Sequence, residues 1–375
     1  MSNKQRHLYI SIAVVVATAI IITLAVILLN HNNNENGRVR SHDVVLDDNI
    51  VLLVNGEPIT RREFQFRMER RRGPVIHHFR ETYGADDTHP TFWITEFGGT
   101  TPMDFSRERT LEAVIHIKVE QILARDRGLI DDITYEYFLE ALDKENSRRS
   151  NAFEQGQVVH GLLQLSEESF FNSRHNDMVS QLIGQLRIEG VIAPTQNQIE
   201  QFYYENIQDF RNQDDLSVQV IYVPYMFGDE VSENRAREIL EDILLQIQVS
   251  SFDIVAERVR NGEFYGVLIQ EIDINEETDP AEFASFWIAI NEVQELPVGD
   301  VSEIIDNFEN MTIIRCTART YRGFMSLDDE GVISWISNRL LRVHYAGFIA
   351  EQIAAADIVI NYDVFNNMMI PEELW

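Results

Sequence analysis

Few residues in this chain have types and spacing suited to chemistry. His77 and His78 are adjacent. A helix turns about 100° per residue, so neighbouring side chains do not easily face one metal ion. They read as a solvated helix face. The acidic run EIDINEETDPAE carries Asp273, Glu276, Glu277 and Asp279. It lacks the glycine that a calcium loop needs for its sharp turn, and it reads as a solvated loop. Cys316 is the single cysteine, so no internal disulfide or thiolate metal cluster can form. Its place in an apolar strand suits a buried structural thiol. The sequence contains no G-x-S-x-G, phosphate loop, dinucleotide fingerprint or H-E-x-x-H. No metal site and no cofactor are expected.

The elements around these residues say more. The chain has 375 residues and a formal net charge of −30. That length suits two domains. That charge leaves no basic footprint for a phosphate backbone, which excludes nucleic acid as a partner. Leu8 to Leu29 is an uninterrupted apolar run, long enough at about 22 residues to span a bilayer. Lys4, Arg6 and His7 precede it and a polar, Asn-rich stretch follows. This predicts an uncleaved signal anchor with its short tail in the cytoplasm and the bulk of the chain outside.

Beyond a polar linker at 30–49, the segment IVLLVNGEPITRREFQFR opens with an apolar strand. An Asn55-Gly56 turn, a second extended piece and a helix capped by Thr60 come next. Amphipathic helices are predicted at RERTLEAVIHIKVEQILARDRG, at Tyr135 to Ser147, from Ser166 and from Thr195. After residue 212 the pattern becomes β-α-α-β-α-β, that of a small α+β domain. A long amphipathic helix then leads to a short strand, Ile358 to Ile360.

That order of parts resembles the extracytoplasmic folding factors of the SurA, PrsA and PpiD type. VLLVNGEPITRREFQFR is similar to the opening of that family. LEAVIHIKVEQILARDRGL, with Ala124 and Gly128 in place, is similar to its second helix, and FIAEQIAAADIVIN to its closing helix and strand. The resemblance implies a helix-rich α+β protein with a discontinuous helical chaperone domain at 50–212 and 323–375. It also implies that the opening strand pairs with Ile358 to Ile360. The middle segment, 213–322, resembles a parvulin, a peptidyl-prolyl isomerase fold. Phe252, Val255 and Ala256 match its second helix, and Gly299, Val301 and Ser302 match a later loop.

Parvulins place two histidines on neighbouring strands. Here the matching positions are Val220 and Thr312. Weak or absent isomerase activity is therefore expected, and no catalytic residue is assigned. Phe283, Phe286, Trp287 and Met311 are the candidates for apolar contact with a peptide. The expected function is a chaperone of unfolded or newly translocated polypeptides, single-pass in the cell (inner) membrane and extracytoplasmic or periplasmic. A divergent active prolyl isomerase, and an envelope scaffold or docking protein, remain as alternatives.

Overall fold

The structure, a computed structural model, describes residues 46–225, 231–372 and 375. The expected anchor at 8–29 and most of the linker lie outside the described residues. Among the described residues, no helix is long and apolar enough to cross a membrane.

The chain opens with β1 (Ile50–Val54) and β2 (Glu57–Thr60). Asn55 and Gly56 both take positive φ, 50° and 83°. A two-residue turn of this kind needs that conformation, and Asn-Gly supplies it at low cost. Thr60 then accepts a hydrogen bond from the Glu63 backbone N–H at 3.3 Å and caps α1 (Arg61–Arg70). A proline ring clashes with the carbonyl four residues earlier. Pro74 therefore does not permit α1 to run on, and α2 (Arg72–Tyr83) starts afresh. Thr101, Thr134 and Ser166 cap α3 (Pro102–Asp126), α4 (Tyr135–Glu154) and α5 (Glu167–Ile188). The α4 helix runs on past the predicted end at Ser147.

The next stretch is built around a sheet. It begins with α6 (Gln196–Glu205) and β3 (Asp215–Pro224), followed by α7 (Glu233–Val249), α8 (Phe252–Arg260) and β4 (Leu268–Ile274). A 3-10 segment, Pro280–Phe286, leads into α9 (Trp287–Val293). Strands β5 (Ile305–Asp306) and β6 (Asn310–Thr320) finish the sheet. Its order is β4-β3-β6-β5, antiparallel throughout. Alternation along each strand sends side chains to opposite faces. Leu216, Val218 and Val220 pack with α9, while Ile221 and Val223 pack with α7 and α8.

The chain then forms α10 (Glu330–Ala355), β7 (Ile358–Ile360) and α11 (Tyr362–Phe365). Strand β7 pairs antiparallel with β1, in the register Leu52↔Ile360, Leu53↔Val359 and Val54↔Ile358. This is the pairing expected from the sequence. It gives β1 a partner on both sides, in the order β2-β1-β7, and so satisfies its backbone groups. Val51, Leu52 and Val54 are fully buried against Phe64, Met68, Phe79 and Phe365. Each such side chain contributes about 1.5–3 kcal/mol by leaving water.

The chain divides into two compact units. One extends to Thr195 and resumes at Ser337–Trp375; the other is Gln196–Ile336. The second unit is thus wider than the 213–322 expected. The Tyr203 ring packs at a tilt on Phe210 at 5.1 Å, and Phe210 meets Trp335 edge-on at 5.5 Å, which ties α6 and the first turns of α10 to it. The result is a helix-rich α+β chain with two small sheets.

Candidate peptide-binding site

Val220 and Thr312, the positions that the sequence resemblance pairs with histidines, lie on one face of the second unit's sheet. Thr312 stands opposite Tyr222 across β6 and β3, and Val220 stands opposite Ile314, two cross-strand pairs further on. Both are completely buried. Val220 is surrounded by Ile272, Ile290, Ile314 and other apolar side chains, so it offers nothing to a polar reaction.

Thr312 belongs to a closed polar network. Its hydroxyl donates to Asn310 Oδ1 at 2.5 Å and accepts from Asn307 Nδ2 at 2.9 Å. Asn307 Nδ2 also reaches Asn310 Oδ1 at 3.2 Å. Asn307 Oδ1 accepts from the Ala289 backbone N–H at 3.1 Å, and Asn310 Nδ2 donates to the Ser285 carbonyl at 3.0 Å. Each side-chain polar atom of the three residues is engaged. Buried amides and hydroxyls would otherwise cost free energy, and here they staple the β5–β6 turn to the segment carrying Phe286 and Trp287. None of the three side chains titrates near neutral pH.

Aromatic side chains cover the floor. Tyr222 meets Phe286 edge-on at 4.9 Å, and Phe283 lies parallel to Trp287 at 6.2 Å. Burial raises the Tyr222 phenol above its ordinary value, so it stays neutral. Phe283 and Phe286 are core residues, whereas Trp287 is 54 % exposed. Phe308, at the tip of the β5–β6 turn, is 78 % exposed and has φ of 67°. A bulky residue in the left-handed region is strained and persists only where its surroundings impose it. Here Asp306 Oδ1 accepts the Phe308 N–H at 2.8 Å, and the Tyr225 phenol also bonds that carboxylate. The Asn307 and Asn310 bonds close the rest of the turn.

Of the four candidates taken from the sequence, three lie together and Met311 does not. Met311 is fully buried on the opposite sheet face, with Ile221, Ile313 and the α7–α8 residues. Being one residue from Thr312, it must point the other way. Cys316 shares the Thr312 face, is fully buried, and is a free thiol. Tyr222, Asn307, Phe308 and Asn310 were missed. The only signal was DNFEN, a turn sequence with an aromatic at its centre.

The first unit shows apolar groups of its own. Phe153, Val158 and Leu162 are 62 %, 80 % and 64 % exposed around the α4–α5 connection. Arg149 Nη1 donates to the His160 and Leu162 carbonyls at 3.0 and 2.9 Å. Asn146 bonds both the carbonyl and N–H of Leu165, at 3.0 and 2.8 Å. Those bonds fix the loop in a form that leaves its apolar side chains in water. Neither histidine of the 77–78 pair joins a cluster: His78 stacks on Phe105 at 4.6 Å and His77 is exposed. In the acidic run, Asp273 accepts from Ser217 and Glu276 pairs with Arg322. The described residues hold no group of three or more metal-ligating side chains.

No family model and no curated protein matches the chain. Among solved structures it is similar to SurA-like chaperones and PrsA foldases. One is from a study of PEB4 and Cj1289, two SurA-like chaperones of Campylobacter jejuni. It is 12 % identical with a TM-score of 0.31, over 83 % of this chain and 98 % of that one. The foldase PrsA of Streptococcus pneumoniae is 14 % identical with a TM-score of 0.26, over 85 % and 97 %. PrsA of Bacillus subtilis is 12 % identical with a TM-score of 0.22, over 86 % and 100 %.

Proposed function

We propose that this protein is a membrane-anchored, extracytoplasmic chaperone that holds unfolded or newly translocated polypeptides and does not isomerise their prolyl bonds. One observation carries the reading. The buried floor beside the segments that carry the exposed aromatics Trp287 and Phe308 contains Val220 and a saturated Asn307–Asn310–Thr312 network. Twisting a prolyl amide across its barrier of about 20 kcal/mol calls for polar groups aimed at the changing bond. Those at this floor are already bonded to one another. What remains is an apolar surface on a rigid turn, suited to weak and reversible contact with apolar segments. Phe153, Val158 and Leu162 offer a similar surface in the first unit. The long apolar run at 8–29 supports the anchor.

The test is suppression of aggregation. A client diluted from denaturant should aggregate less with stoichiometric amounts of the protein. The variant Trp287→Ala/Phe308→Ala should fold normally, since both side chains are largely in water, and should protect several-fold less well. Undiminished protection by that variant would move the holding surface elsewhere. No protection by either protein would remove the chaperone reading.

A further inference from the structure

The same surface has a charge pattern that its apolar chemistry does not require. Residues 261–314 contain 13 carboxylates and no Lys, Arg or His. The second unit as a whole has 29 carboxylates against 8 arginines, a net −21. Its arginines serve mainly elsewhere, except that Arg319 donates to the carbonyls of Val293, Gln294 and Leu296 at the end of α9 and also reaches Asp214 at 3.4 Å. Arg258 and Arg260 in α8 pair with Glu263 and Glu271, Arg315 reaches Asp253, and Arg322 holds Asp215 and Glu276. By contrast Glu292, Glu295, Asp300, Glu303 and Glu309 are exposed. None has an ion-pair partner among the described residues. They flank Trp287 and Phe308 in the chain: Glu292 and Glu295 follow from α9, and Glu309 is the next residue after Phe308. The Asn307 and Asn310 bonds to Ala289 and Ser285 bring these two segments side by side.

Uncompensated like charges around an apolar surface raise its energy, and an incoming cation relieves that repulsion. The exposed indole of Trp287 adds a second attraction, because an aromatic face draws Lys or Arg. We infer that this face takes extended polypeptide segments in which Lys or Arg flanks an apolar side chain, and discriminates against acidic segments. The apolar side chain would lie against Trp287 and Phe308, and the cations against Glu292, Glu295 and Glu309. The inference rests on the holding role proposed above and adds the class of client to it.

Two labelled unstructured peptides with one apolar core test it, one flanked by lysines and arginines and the other by glutamates. Binding to the full chain is read by fluorescence anisotropy. The cationic peptide should bind roughly tenfold or more tightly. That preference should shrink strongly in about 0.5 M salt, where exposed charges are screened. Glu292→Gln/Glu295→Gln/Glu309→Gln should remove most of the preference with the fold intact. Glu241→Gln, on the helix over the opposite sheet face, should leave it unchanged. Equal binding of the two peptides, or a preference that survives the triple substitution, overturns the charge inference and leaves the holding role standing. Binding of neither peptide overturns both.

Discussion

At Thr312 the hydroxyl proton already has an acceptor and the oxygen already has a donor. A side chain so engaged helps hold the β5–β6 turn. Asn307→Ala would strip a partner from the Ala289 N–H, Asn310 Oδ1 and the Thr312 hydroxyl together. Buried groups left unsatisfied cost about 1–3 kcal/mol. Denaturant unfolding of this variant should show at least that loss. A change within a few tenths of a kcal/mol would mean that water replaces the amide and that the turn is not stapled as described. That Val220 and Thr312 lie in strands was legible in the sequence, from the β-branched and apolar runs around them. The network was not, since it joins three side chains to the backbone of a different segment. Met311 was misplaced because closeness along a strand does not say which face a residue takes.

Three helices of the first unit meet at a buried carboxylate. Glu120 on α3 accepts from the Tyr345 phenol of α10 at 2.6 Å. His116 and His175 approach its two oxygens to 3.2 and 3.3 Å, from α3 and α5. Arg67 of α1 lies 3.4 Å over the Phe171 ring, and burial lowers its pKa to about 10, so it remains charged at neutral pH. Nearby, Lys118 donates to the Ile133 carbonyl at 3.0 Å and faces Glu63 at 3.6 Å. Burial disfavours the charged Glu120, but His116, Tyr345 and His175 outweigh it and hold the carboxyl below its ordinary 4.5. Burial also lowers the His175 imidazole below its ordinary 6.5, against the pull of Glu120.

The two shifts act in one direction on stability. The His175 contribution is complete above 6.5, the unfolded value, and declines as pH falls below it. The Glu120 contribution is complete above 4.5 and is lost as pH falls through its lower folded value. Acid should therefore loosen α10 and α5 from α3 in two stages. The His175→Gln variant should lose the upper stage and keep the lower. Hydrogen-exchange protection of α10 relative to the intrinsic rate, compared between pH 7 and 5, would read the upper stage, and protection independent of pH over that range would contradict it. The helices themselves were plain from their caps and apolar stripes. Their meeting at Glu120 was not, because Glu120 and Tyr345 stand far apart in sequence and nothing local couples them.

At the scale of the whole chain, the first unit needs residues from both ends of the sequence. Strand β7 supplies the second neighbour of β1, and Leu341, Tyr345 and Ile349 pack with Leu182, Leu186 and Ile192. The second unit has its own two apolar layers, one on each face of its sheet. A chain ending at Ile336 should lose protection throughout the first unit while β3, β4 and β6 stay slow to exchange. Retained protection of β1 would show that the closing segment is dispensable. This arrangement was readable in outline, since Asn-Gly after an apolar strand and a lone short strand near the end each imply an absent partner. The extent of the second unit was not, because the aromatic contacts of Tyr203, Phe210 and Trp335 leave no periodic trace.

The measurement closest to the central claim follows a client whose refolding is limited by proline isomerisation, in the presence of the chain from Ser41 onward. Refolding rate and aggregation are recorded in the same sample. An unchanged rate at catalytic amounts and reduced aggregation at stoichiometric amounts are the expected results. Faster refolding at catalytic amounts would contradict that claim, since the site would then work around Val220 and the Thr312 network.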